Sequence, residues 1–243
     1  MKAKVLHVPD NTIEIMYTAA RTCYSSHTPT KIDNMLRNKD QGEKEHLVKA
    51  VLDMGHWSIA EQVEVTIALE NIPRSMSHQL VRHRLAAYAQ QSQRYVTMSS
   101  EDVDKMLHET VPPRVERNNR AYHAYQKAIR QDEESYHEIY EALLEEGYTK
   151  EEAKEDARSV LPNSCPTNIV TTKNLRQIAH ECSIRLCKRT QYTTRDLYEM
   201  LRDDLVKYLP LMENYLKPKC FKFRLCDEGK KSCGMFPVIS TTD

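Results

Sequence analysis

Arg82, His83 and Arg84 stand side by side at the start of RHRLAAYAQQS, residues 82–92. Both guanidiniums are cationic at any working pH, and the imidazole between them titrates near neutrality. Like charges this close repel, so the crowding needs either full solvation or an anion to gather. Each guanidinium offers a forked pair of donors matched to phosphate, and Arg94 adds another. Gln79 upstream, and Gln90, Gln91, Ser92 and Gln93 downstream, are neutral donors and acceptors able to read the edge of a base or sugar. Composition alone leaves both a solvated helix end and a binding site open.

A second cluster lies in NLRQIAHECSIRLCKRTQ, residues 174–191, where Arg176 and His180 are i, i+4 neighbours, as are Glu181 and Arg185. Ile178, Cys182 and Leu186 form its apolar stripe, so the cations project away from the core. Taken alone, this reads as an exposed helix with a surface Glu181–Arg185 pair that contributes little. His56 and Ser58 in GHWSIAEQ form a third candidate, with a structural histidine and a capping serine as the plainer reading.

Composition narrows the chemistry. Of 243 residues, 35 are Lys or Arg and 35 are Asp or Glu, so the formal net charge is zero. A general polyanion or nucleic-acid binder carries a basic excess, so any phosphate recognition should be local. Five glycines, at 42, 55, 147, 229 and 234, cannot build a GxGxxG fingerprint or a GxxxxGK[ST] loop. A nucleotide would have to be held by arginines and helix N-termini instead. The seven cysteines contain no CxxC pair, and Cys220, Cys226 and Cys233 do not match a zinc ribbon. Reduced thiols and no metal are expected, in a soluble, cytoplasmic chain without a membrane span.

The elements that must position these residues are legible in outline. Residues 2–8 read as a strand, followed by a helix capped from Asp10 or Asn11. Residues 26–42 are polar and read as loop. Leu47, Val48, Val51 and Leu52 mark a helix that Gly55 stops. Val63, Val65, Ile67 and Leu69 alternate as in a half-buried strand. A helix over SMSHQLVRHR would set Gln79, Arg82 and His83 on one face, with Met76 and Leu80 on an apolar one. The longest helical pattern, 117–146, carries a tyrosine stripe suited to a core or a subunit interface. Thr149 and Glu152 form a capping box for the next helix, which must stop near Leu161-Pro162. Further helices are expected at 174–189 and 194–209. The expected fold is α+β, a helix-rich single domain over 1–243 around a small, mostly antiparallel sheet.

Together these segments resemble the flavin-dependent thymidylate synthases. Their signature is Arg-His-Arg, seven residues, then Ser, and here it runs from Arg82-His83-Arg84 to Ser92 and on into Gln93-Arg94-Tyr95. AARTCY at 19–24, GHWSIAEQ at 55–62, ARSVLPN at 157–163 and NLRQIAH with IRLCKRTQ at 174–191 fall in the family's order. The resemblance implies FAD contacts from Ser58, Arg82, His83, Arg84, Gln90, Asn174, Arg176 and His180. It implies dUMP contacts from Gln79, Arg82, Gln90, Gln91, Ser92, Gln93, Arg94, Arg158 and Arg185, with Arg185 catalytic at the pyrimidine ring. His56 matches a position near flavin and folate. The implied reaction is reductive methylation of dUMP to dTMP, with 5,10-methylenetetrahydrofolate as carbon donor and NADPH as reductant. A homotetramer with shared active sites is also implied. Gln90 stands where many relatives have Glu, Arg189 where some have His, and His78 where Arg is common. Residues 217–243 form an extension to which the resemblance assigns no role.

Overall fold

The computed structural model describes residues 1–36 and 38–239. The expected C-terminal extension is therefore described as far as Ile239, and residues 240–243 lie outside the described residues. In chain order the elements are β1 (Lys2–His7), α1 (Thr12–Tyr24), α2 (Pro29–Leu36), α3 (Gln41–Asp53), β2 (Glu64–Pro73), α4 (Arg74–Leu80), β3 (Ala86–Gln90), α5 (Ser100–His108), α6 (Pro113–Glu116), α7 (Asn119–Glu145), α8 (Lys150–Ala157), β4 (Pro166–Asn174), α9 (Leu175–Arg185), α10 (Tyr192–Tyr208) and α11 (Lys219–Phe223). The fold is α+β and helix-rich, as expected. Among the described residues no helix is long and apolar enough to cross a membrane.

The four strands form one sheet in the order β1-β2-β4-β3. Leu175 N–H donates to the Val63 carbonyl at 2.8 Å, and the hydroxyls of Thr66 and Thr172 meet at 3.0 Å. Residue numbers on β2 and β4 thus run in opposite directions, the antiparallel register. The alternation of β2 buries Val65, Ile67 and Leu69 as its sequence requires. Two strands escape the sequence pattern. The inward row of β4 is Thr167, Ile169, Thr171 and Lys173, mostly polar types. In β3, AAYAQ, no residue is fully buried, so it has no apolar face to advertise.

Two compact units divide the chain, the first comprising 1–2, 68–83 and 88–170, the second 3–67, 84–87 and 171–243. The core of the first unit gathers Met98, Val103, Met106, Leu107, Ile129, Tyr136, Ala157 and Cys165. The tyrosine stripe of α7 belongs to this core. Tyr125 and Tyr122 donate to the carbonyls of Met106 and Leu107 at 2.9 and 3.2 Å, and the Tyr136 hydroxyl accepts from Met98 N–H at 3.4 Å. Each hydroxyl meets a polar partner, which removes the penalty of burying it. Gly147, at φ +94°, ends α7 after Glu145, and the Thr149–Glu152 capping box opens α8. In the second unit Val5, Met16, Val48, Leu52, Ile59, Val65, Ile178, Cys182 and Leu201 are buried.

Three local expectations are corrected. Asn11 precedes α1 without a side-chain cap; Thr12 instead donates to the Pro9 carbonyl at 2.6 Å. The stretch read as loop contains α2, whose Ile32 and Leu36 lie one turn apart and bury together. Most consequentially, α4 ends at Leu80, before the Arg-His-Arg run. The Tyr88 hydroxyl lies 2.8 Å from the Leu80 carbonyl and 2.9 Å from that of His83. It takes up the Leu80 carbonyl that a further helical turn would need. Gln79, Arg82 and His83 therefore do not share a helix face.

Candidate active site

In the first unit the chain leaves β3 at Gln90 and turns through Gln91–Arg94. Gln90 donates its amide to the Thr167 hydroxyl at 3.2 Å. Gln91 bonds twice to Asn168, through its backbone N–H to the Asn168 carbonyl and through Oε1 to the Asn168 amide, both at 2.9 Å. Ser92 Oγ accepts from Arg94 N–H at 3.2 Å, which shapes the turn as a serine does. Gln93 donates to Cys165 Sγ at 3.4 Å. Gln90, Gln91 and Gln93 are thus aimed by β4 and the segment before it, which the sequence pattern had left unread. Gln91, Ser92, Gln93 and Cys165 line a cavity of 30 Å³, room for a water and not a nucleotide.

Arg94 and Arg158 come to one carboxylate. Arg94 Nη2 stands 2.9 Å from Glu155 Oε2, and Arg158 Nη2 stands 3.9 Å from Glu155 Oε1, with Arg158 Nε donating to the Glu155 carbonyl at 3.1 Å. Sequence reasoning missed Glu155. Its signal was present only as the i, i+3 spacing to Arg158. Gln79 is half-buried in the last turn of α4, and Arg82 beyond it is exposed. Cys165 is buried, and burial pushes its thiol up to about 11. A neutral thiol beside this glutamine row is no nucleophile at neutral pH.

In the second unit His56 and Ser58 are exposed at the start of a 3₁₀ turn, Trp57–Gln62. That turn also carries Glu61, whose Oε1 accepts from Arg176 Nη1 at 2.6 Å. Arg176 sits in the first turn of α9 and His180 one turn later, both exposed. Asn174 caps α9, its Oδ1 accepting from Gln177 N–H at 2.8 Å, so this oxygen is committed to the helix. Arg84 is exposed, and Arg185, the last residue of α9, is half-buried.

The surface Glu181–Arg185 pair does not exist as a surface pair, because Glu181 is 0% exposed. Its carboxylate accepts from Lys173 Nζ at 2.5 Å, from Gln177 Nε2 at 2.9 Å and from the Tyr198 hydroxyl. Lys173 and Tyr198 are themselves 3% and 2% exposed. Burial lowers the Lys173 ammonium's pKa, against the pull of Glu181, and raises the Tyr198 phenol well above its ordinary value. The helix carrying Arg185 is therefore anchored from beneath by a desolvated polar cluster.

The cations differ in their commitments. Arg94, Arg158, Arg176 and Arg189 each have a carboxylate partner. Among the described residues, no ion pair forms at Arg82 or Arg84, and both are exposed. Exposed arginines without a fixed partner suit an incoming polyphosphate, and the chain has no glycine loop that could serve instead.

A helix-rich α+β fold with exposed arginines and an ordered row of amides has the side chains that anionic, base-bearing ligands would need. Residues 4–211 match the family described as Thymidylate synthase complementing protein, and the chain belongs to that family. A flavin-dependent thymidylate synthase of Clostridium tetani is 32% identical over 242 residues, covering 96% of this chain and 93% of the relative. One of Geobacter sulfurreducens is 35% identical over 237 residues, covering 96% and 94%. Among solved structures, the UMP/dUMP methylase PolB of Streptomyces cacaoi, bound with 5-Br dUMP, matches with a TM-score of 0.67 over 88% of this chain and 93% of that one. At 19% identity that likeness bears on the fold alone.

Proposed function

We propose that this protein is a flavin-dependent thymidylate synthase that converts dUMP to dTMP. The observation that carries the reading is family membership over 4–211, which includes the whole Arg82–Ser92 signature. The carbon donor is 5,10-methylenetetrahydrofolate and the reductant NADPH. The flavin is FAD, which when bound supplies the hydride that completes the methyl group. The working form is a cytoplasmic homotetramer with shared active sites, and residues 1–243 act as one catalytic domain.

In this reading the residues divide by task. Arg82, His83 and Arg84 meet the cofactor's diphosphate, and the exposed, unpaired state of the two arginines among the described residues supports that. Ser58, Gln90, Asn174, Arg176 and His180 hold the rest of FAD, with His56 beside flavin and folate. Gln79, Arg82, Gln90, Gln91, Ser92, Gln93, Arg94, Arg158 and Arg185 hold dUMP. Glu155 presents Arg94 and Arg158 together, so a nucleotide phosphate would meet two guanidiniums aligned by one carboxylate. Attack by C5 of the pyrimidine requires the ring to be electron-rich. Arg185 supplies a planar cation that stabilises negative charge developing on the base, which removes the need for a thiol adduct. The buried cluster around Glu181 holds that arginine's helix still.

The test is tritium release from C5-labelled dUMP, run with and without folate, FAD and NADPH. Release that depends on folate and reduced flavin is expected. Absence of release with every component present overturns the assignment.

A further inference from the structure

Four cysteines far apart in sequence come to one place. Cys187, in the turn after α9, and Cys220, Cys226 and Cys233, from the C-terminal segment, line a single cavity of 540 Å³ in the second unit. All four are free thiols. The cavity is also lined by Lys188, Arg189, Arg195 and Arg202, against two carboxylates, Glu199 and Glu228.

The segment carrying three of these cysteines has almost no core of its own. From Lys217 to Ile239, Cys226 is the one buried residue, while Phe223, Leu225, Met235, Val238 and Ile239 are all exposed. Its course is nonetheless definite. It contains α11 and a 3₁₀ turn at Gly229–Lys231, an isolated parallel bridge between Cys226 and Val238, and an edge contact of Phe221 with Phe236 at 5.2 Å. Ordering a backbone costs roughly 1–2 kcal/mol per residue, which so little apolar burial does not offset. Small folded units with so little core use a cross-link or a metal centre to hold their course.

Among the described residues no three His, Cys, Asp or Glu side chains are gathered closely enough to hold a single metal ion. An iron–sulfur cluster instead takes four cysteine sulfurs around a core of several atoms, and the 540 Å³ cavity that the four thiols line has room for one. We propose that Cys187, Cys220, Cys226 and Cys233 ligate an iron–sulfur cluster that staples residues 217–239 to the end of α9. Each sulfur binds as thiolate, so four thiol protons are released on coordination. Cys187 lies two residues beyond Arg185, and the cluster thereby fixes the end of the helix that carries it. This proposal departs from the sequence expectation of no metal and does not depend on which reaction the protein catalyses.

The experiment is metal and acid-labile sulfide analysis of the full chain purified without oxygen, alongside Cys187→Ser, Cys220→Ser and the control Cys23→Ser. Iron and sulfide are expected together in the wild type and in Cys23→Ser, and at background in the other two. The wild-type chain also shows a low-temperature paramagnetic resonance signal after reduction, distinct from a flavin radical. Should the two variants fail to fold, the wild-type iron and sulfide content decides alone, with hydrogen exchange before and after iron removal. Faster exchange confined to 217–239 and the end of α9 supports the staple. Wild-type protein without iron and sulfide, zinc in their place, disulfides among these four cysteines in a peptide map, or undiminished iron in Cys187→Ser each overturns it.

Discussion

Arg82 and Arg84 lie exposed with no ion pair among the described residues, whereas Lys173, 3% exposed, gives its ammonium to a fully buried Glu181. Both regions are built from cations and amides, and burial separates their uses. At the Arg82–Arg84 turn the charges are solvated, so leaving them unpaired costs little and both guanidiniums remain available to an anionic ligand, whose attraction salt will screen. Around Glu181 each charge has lost its water, so each must be met by protein: Lys173, Gln177 and Tyr198 all donate to one carboxylate. In one region the two guanidiniums are left to solvent, while the turn beneath them is held through His83. The other is closed to ligands because its every donor already holds the fold.

Breaking the closed region should have the largest effect. Glu181→Ala leaves Lys173 buried and unpaired, and a loss of about 3–5 kcal/mol in urea unfolding is expected. The double variant Lys173→Met/Glu181→Leu should recover much of that loss, because it removes both charges together. A Glu181→Ala protein as stable as the wild type would show that the cluster is not a stability element.

Arg185 sharpens the contrast, since it leaves the same helix toward the proposed base. Arg185→Ala should depress dTMP turnover by roughly 10²–10³ while flavin binding and flavin reduction persist. Lysine should not restore full turnover, because it lacks the planar fork. Near-normal turnover at saturating dUMP would leave Arg185 with a structural role only.

At the open turn, Arg82→Ala and Arg84→Ala should each weaken flavin binding by about 2–3 kcal/mol, with the unfolding midpoint unchanged. A flavin titration checks this. Unchanged affinity in both variants removes the phosphate role, and a falling midpoint would show that the turn supports the fold after all.

The smallest effect is expected at Cys165, which borders the glutamine row but whose thiol burial pushes up to about 11. Cys165→Ser should keep dTMP formation within a few-fold of wild type, by the same tritium-release assay. A covalent dUMP adduct mapped to Cys165 would contradict the absence of a thiol nucleophile.

Much of the frame was legible in the sequence. The alternation of Val63–Leu69, the stripe of α7, the stop at Gly147 and the Thr149–Glu152 box are local patterns, and each formed where its period or its capping chemistry required. The Arg82–Ser92 spacing likewise singled out a candidate ligand-binding region from the sequence alone. What stayed hidden shares one cause. The inward face of β4 is mostly threonine and lysine, and β3 buries nothing fully, so neither shows an apolar period. The end of α4 depends on Tyr88, eight residues beyond Leu80.

The chain's own residue order therefore determined its helices, its main strand, its lack of a glycine phosphate loop and the identity of its candidate ligand-binding side chains. Tertiary structure alone decided which charges are free. It buried Glu181 under Lys173 and Tyr198, brought Arg94 and Arg158 to Glu155, and drew Cys187 into one cavity with Cys220, Cys226 and Cys233. The reason is physical: a helical or strand period is set by the backbone's own geometry and repeats within a few residues. Desolvation and long-range pairing depend instead on what packs over a residue, and only the assembled fold determines that.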